Sequence, residues 1–128
     1  MFLPPNSIIA SGPVIIENNK VLLNREQKPD GTTPWMFPGG EVEEFDKTLE
    51  QACMREVKEE MGIQVEIIKP LKPIILLQNE RVIILIHYLA KRIGEIQPGQ
   101  DIAEWGWHDI KNLPDNCTQN VYDIIRAL

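Results

Sequence analysis

The chain has 128 residues, 43% of them hydrophobic and 25% charged, with 19 acidic against 13 basic side chains and a formal net charge of -6. That size suits one compact domain, 1–128, with a core that needs no covalent staples, and leaves no comfortable room for two. The acidic balance argues against wrapping a nucleic-acid polymer, and no apolar run approaches the roughly 20 residues that span a membrane. Cys53 and Cys117 provide no disulfide framework, and the start, Met1 to Ala10, has no basic region ahead of its apolar residues. A soluble, cytoplasmic, free-thiol protein is expected.

Ile8 to Ile16 is apolar and β-branched, and Lys20 to Asn24 holds a second apolar run. Glu17-Asn18-Asn19 between them is turn chemistry, so the pattern predicts a hairpin. Gln27 to Pro34 reads as a loop leading into a short segment, Trp35-Met36-Phe37, and then Pro38-Gly39-Gly40. A helix is predicted from about Thr48 to Met61, with Thr48 and Gln51 forming a capping box and Gly62 as the stop. Strands follow around Val65 to Ile68 and Ile74 to Leu77, and Asn79-Glu80 turns the chain into Val82 to Leu89. After a loop from Glu95 to Gln100, a short strand covers Glu104 to Ile110. Past the break at Pro114-Asp115-Asn116, Val121, Ile124, Ile125 and Leu128 recur at helical spacing, predicting a terminal helix docked by those residues. Mixed strands with two helices predict an α/β fold, helices packed on a sheet.

The stretch Arg55 to Gly62 is the informative one. At about 100° per residue, Leu49, Ala52, Cys53, Val57 and Met61 define one apolar half of the helix. Glu56 and Glu60 project into that half, Glu59 sits at its edge, and Gln51, Arg55 and Lys58 are expected to face solvent. Neighbouring like charges weaken a helix by a few tenths of a kcal/mol, and acids in the last turn oppose the dipole by about 0.3–1 kcal/mol each. A bound cation would relieve both, and hard oxygen donors suit Mg²⁺ or Mn²⁺. The bland alternative is a solvated acidic face.

Pro38-Gly39-Gly40 followed by Arg55-Glu56-Val57-Lys58-Glu59-Glu60-Met61-Gly62-Ile63 resembles the Nudix (MutT-type) hydrolase family. That family's signature runs Gly, five residues, Glu, seven residues, then Arg-Glu-apolar-x-Glu-Glu-x-Gly-apolar, and its second half is complete here. The first half departs. Residues 41–54 separate Gly40 from Arg55, one more than the family spacing, and the position of the family's first Glu is Lys47. A one-residue insertion in the loop Glu41 to Asp46 accounts for this, with Asp46 as the candidate substitute.

The resemblance implies a Nudix-type α/β/α sandwich around a mixed β-sheet, and Mg²⁺-dependent (or Mn²⁺-dependent) hydrolysis of a diphosphate bond in a nucleoside diphosphate linked to another moiety. It implies Glu56, Glu59 and Glu60 as metal ligands, with the Gly39 carbonyl as a further oxygen, and Arg55 orienting one of the glutamates. Glu56 and Glu59 would also serve catalysis. Glu104 is the candidate distal base or extra ligand, with Asp101 as runner-up and a plain surface acid as the alternative. Arg25 and Gly40 are candidates to meet substrate phosphates, Arg25 being equally readable as a surface salt bridge. For His87, and for Trp35 and Tyr88, packing outweighs catalysis or base stacking. The partner is a small-molecule nucleotide; oligomeric state stays open, a homodimer included. A nucleotide-sensing domain with weak turnover is the rival reading, favoured by the altered loop, and an acidic interaction module without metal is the second.

Overall fold

The computed structural model describes residues 3–128; of the stretch Met1 to Ala10, Met1 and Phe2 lie outside it. β1 (Ile8–Glu17) and β2 (Lys20–Lys28) form the predicted hairpin. Its turn residues Asn18 and Asn19 both take positive φ, 52° and 62°, a conformation asparagine tolerates and one that matches strand twist. β2 runs four residues past the predicted end and pairs with β3 (Gly31–Thr32), so part of the expected loop is ladder. β4 (Gly40–Glu41) pairs with β1, α1 (Leu49–Met61) follows, and β5 (Gln64–Pro70), β6 (Ile74–Gln78) and β7 (Arg81–Ile93) come next. β8 (Ile102–Asp109) and α2 (Gln119–Ala127) complete the chain.

Among the described residues these eight strands make one mixed sheet. β1 and β7 run parallel at its centre, Ile8 opposite Ile83 through Ile15 opposite Ala90, and every other pairing is antiparallel. Strand alternation divides the core into two layers. Ile15, Leu22 and Ala90 look toward α1, where Val57, Met61 and Ile63 close on them. Val14, Val21 and Leu23 look the other way, onto Phe37 and the α2 residues Val121, Ile124 and Ile125. The result is a helix, sheet, helix sandwich. Leu128 departs from the docked pattern: it lies past the end of α2 and is 52% exposed. Trp35 to Phe37 is not a strand but a crossing segment, bridged by Met36 to Asn24 and by Trp35 to Cys117. No helix of the described residues is long and apolar enough to cross a membrane.

Candidate active site

α1 is set by both its ends. The Thr48 hydroxyl accepts the Gln51 N–H at 3.0 Å, and Gly62 stops the helix in the left-handed conformation at φ 68°. Ala52, Cys53, Val57 and Met61 are fully buried, which fixes the rotation of the helix about its axis. Glu56 and Glu60 are thereby turned inward toward Gly39 and Gly40, while Glu59 stays at the rim with 59% of its side chain exposed.

Arg55 does not face solvent as helical geometry alone predicts. Its guanidinium folds back over the loop and is only 20% exposed. Asp46 takes it in a two-pronged pair, Nε to Oδ1 at 2.9 Å and Nη2 to Oδ2 at 2.8 Å, while Nη1 lies 3.0 Å from Glu56 and 3.3 Å from Glu59. Nη2 also donates to the Glu41 carbonyl. A flexible side chain crosses from the solvent side because five donors find oxygens there. The Arg55 bond holds the Asp46 carboxyl below its ordinary value. Asp46 also accepts the Glu43 N–H at 2.8 Å, so the inserted residue is absorbed in an ordered turn.

Glu60 is held at both carboxylate oxygens. Oε1 accepts the Gly39 N–H and Oε2 accepts Asn24 Nδ2, both at 3.2 Å. Burial first, and then the charge of Glu26, push its pKa up to about 8. Burial also raises Glu56, with Arg55 opposing. Gly39, at φ 151°, packs its backbone against Ser11 and Gly12, a contact that leaves no space for a side chain. A Cβ on Gly40 would land on the Glu56 carboxylate. Gly40→Ala is therefore expected to turn Glu56 aside and to destabilise the fold by about 1–3 kcal/mol, a loss that urea unfolding would register; unchanged stability would show that the Glu56 carboxylate gives way freely.

Glu26, Glu56, Glu59, Glu60 and Asp101 share one open cleft of about 880 Å³, with Lys28 and Arg81 as its cations. Past Gly39, Gly40 and Gln78 it continues into a second cavity of about 570 Å³, walled by Met36, Phe37, Ile83 and Leu85 and carrying the amides of Gln78 and Asn120. Among the described residues no Lys or Arg lines that second cavity. His87 sits in its wall, buried against the Phe37 ring at 5.0 Å and 3.3 Å from the Asn120 amide; burial pushes it down to about 4, so it is neutral. Trp35 packs edge-on to His108, and the Tyr88 hydroxyl donates to Glu50 at 2.7 Å.

Two candidates lie elsewhere. Leu22, Asn24 and Glu26 occupy the α1 face of β2, so Arg25 falls on the opposite face beside Trp35. Glu104 is its cross-strand neighbour, and the two form an ion pair at 2.9 Å outside the cleft. The pairing skips Ala103, a bulge that leaves Ile102 beside Glu26, and Asp101, just ahead of β8, lines the cleft. Glu26 shares the α1 face by β2 alternation but lies past the end predicted for that strand; Asn24, Gln78 and Asn120 carry no sequence signal, since tertiary packing alone brings them here.

Among the described residues no three carboxylate, imidazole or thiol groups converge as a preformed cation cage. Arg55 draws Glu56 and Glu59 to itself, and Asn24 with Gly39 holds Glu60. The donor set nonetheless fits a hard divalent ion that keeps several waters. It offers only carboxylate oxygens, on one wall of one cleft, with a mutual repulsion that a cation would relieve.

Comparison with known proteins agrees with this geometry. The NUDIX domain profile matches residues 9–128. An ADP-ribose pyrophosphatase of Methanocaldococcus jannaschii is 31% identical over 110 residues, 83% of this chain and 64% of that protein. An 8-oxo-dGTP diphosphatase of Proteus vulgaris is 41% identical over 58 residues, 44% of this chain and 51% of that protein. The chain thus spans about half to two thirds of the length of these two relatives. The crystal structure of a MutT NUDIX hydrolase from Burkholderia pseudomallei superposes with a TM-score of 0.83 at 25% identity, over 94% of this chain and 97% of that one. With the profile running through both the sheet and the acidic helix, the chain belongs to the NUDIX family.

Proposed function

We propose that this chain, with residues 1–128 acting as one domain in the cytoplasm, is a pyrophosphohydrolase dependent on Mg²⁺ or Mn²⁺ that cleaves a nucleoside diphosphate linked to another group. One observation carries the reading: Glu56, Glu59 and Glu60 open on the same cleft as Gly39-Gly40, and that cleft runs into a largely apolar cavity that carries amides and one acid, Asp123, and that no Lys or Arg of the described residues lines. Phosphates belong with the acids and a cation; a neutral heterocycle belongs with Met36, Phe37 and Asn120. The two relatives, an ADP-ribose pyrophosphatase and an 8-oxo-dGTP diphosphatase, are both named for cleaving the diphosphate of a nucleotide.

Glu56, Glu59 and Glu60 would hold the cation. When bound, it polarises the diphosphate, activates the attacking water and neutralises charge on the leaving group. Arg55 keeps Glu56 and Glu59 from splaying apart, and Asp46 keeps Arg55 in place. Glu59, the most exposed of the three, accepts the proton of the attacking water. Lys28 and Arg81 draw the anionic substrate into the cleft. Asp101, the runner-up, takes the distal-acid role that the family resemblance suggested first for Glu104. The loop insertion that favoured a binding-only domain is closed by the Asp46–Arg55 pair.

A screen of phosphate and nucleoside monophosphate release over nucleotide sugars, dinucleotide polyphosphates and nucleoside triphosphates, with Mg²⁺, Mn²⁺ or EDTA, tests this. Turnover with metal and none in EDTA is expected. Equal turnover in EDTA, or none with any substrate, would remove the proposal.

A further inference from the structure

Asn24 is out of place for a strand interior. It is fully buried on the α1 face of β2, in line with Leu22 and in contact with Met61, where an apolar side chain would pack as well. Its backbone is pinned in both directions to Met36, by N–H to carbonyl bonds of 2.9 Å each way. Its amide nitrogen is committed to Glu60 Oε2 at 3.2 Å and to Met61 Sδ at 3.7 Å, while Oδ1, also buried, has no protein partner. Packing alone does not explain an asparagine that leaves an acceptor stranded in the core. Such local violations concentrate where function imposes them.

We infer that Asn24 is a positioning residue for Glu60, holding its carboxylate in the one orientation that offers lone pairs to a cation in the cleft; the inference rests on the metal-dependent reading above. Glu60 is clamped at both oxygens, by Asn24 on one and the Gly39 N–H on the other. Each oxygen keeps a second lone-pair site, and Gly39 and Glu60 both line the cleft. Without Asn24, Glu60 loses one of its two tethers and turns toward Gly39 alone.

The test separates positioning from structure because the two predict opposite signs. Asn24→Leu fills the same space without a stranded acceptor, and Asn24→Asp keeps the shape while removing the donor. Free Mn²⁺ measured by electron paramagnetic resonance, with thermal unfolding in EDTA, supplies both readouts. Asn24→Leu is expected to match or exceed the wild-type Tm in EDTA and to bind Mn²⁺ about ten-fold more weakly or worse. Asn24→Asp is expected to bind more weakly than wild type as well. In a Glu60→Gln background the Asn24→Leu change should alter Mn²⁺ affinity by less than two-fold, since its effect runs through Glu60. Wild-type affinity in both single variants, or an undiminished loss in the Glu60→Gln background, overturns the positioning role while leaving the metal reading intact. A wild-type chain that binds no Mn²⁺ overturns the metal reading, and the positioning role with it. If Asn24→Leu fails to fold, Asn24→Asp carries the comparison alone.

Discussion

Glu59→Gln is expected to lower kcat about 10²- to 10⁴-fold, the range of a lost general base, while leaving Tm almost unchanged. The two halves follow from one geometry. Glu59 is exposed over 59% of its side chain, which among the described residues bonds only to Arg55, one turn away at 3.3 Å. Exposed ion pairs of this kind contribute about 0–1 kcal/mol, so the fold barely registers the change. Its neighbours do not share this separation, because Glu56 and Glu60 are enclosed and bonded into the loop and sheet. Glu104→Gln is the internal contrast: it lies outside the cleft in its pair with Arg25 and should change kcat less than about two-fold, within the weak range of such pairs. Turnover of Glu59→Gln at the wild-type rate would take Glu59 out of the chemistry, and a large loss in Glu104→Gln would restore it as the distal acid.

Metal-free protein is expected to lose about 2 kcal/mol of stability between pH 6.5 and 8, and saturating Mg²⁺ should abolish that loss. Burial, and next the Glu26 charge, raise Glu60 to about 8 from 4.5, so the folded chain keeps a proton that the unfolded chain releases. Its contribution is complete below about 4.5 and disappears as pH rises through about 8. His87 has the reverse sign: burial lowers it to about 4 from 6.5, so the unfolded chain gains a proton the folded one refuses, and stability is lost as pH falls below 6.5. The two slopes oppose between about 4.5 and 6.5 and largely cancel. Above 6.5 only Glu60 remains, at about 1.4 kcal/mol per pH unit. A cation in the proton's place removes the slope. Urea unfolding in EDTA across this range, repeated with Glu60→Gln, checks it: the variant should be flat from 6.5 to 8, and a decline that persists in the variant would clear Glu60 of causing it.

The cavity beyond the acidic helix bears on substrate choice in a way the helix does not. Its polar side chains are amides, the hydroxyls of Ser11 and Thr118, one uncharged imidazole and the Asp123 carboxylate, and the cationic donors are confined to the cleft. Discrimination there depends on hydrogen-bond pattern and shape, since a site that hydrogen-bonds a group rejects analogues lacking it far better than an apolar pocket rejects an extra methylene.

What the sequence by itself determined is the part written in short-range periodicity. The apolar stripe Ala52, Cys53, Val57, Met61, the cap at Thr48 and the stop at Gly62 all lie within one helix, so its rotation, and with it the inward turn of Glu56 and Glu60, follows from 3.6 residues per turn. The hairpin around Asn18-Asn19 and the β6–β7 turn at Asn79-Glu80 are local in the same sense. Only the tertiary structure decided the rest. Arg55 left its solvent-facing position because Asp46 and the Glu41 carbonyl supply oxygens from outside the helix, beside those of Glu56 and Glu59 on it. Glu104 stands away from the cleft because the β2–β8 pairing sets it opposite Arg25, while Asp101, just ahead of β8, lines the cleft; that register is chosen between strands and is invisible along either one. Asn24 and Glu26 meet Glu60 for the same reason: contacts between segments far apart in sequence are set by how sheet and helix pack, and no local pattern records them.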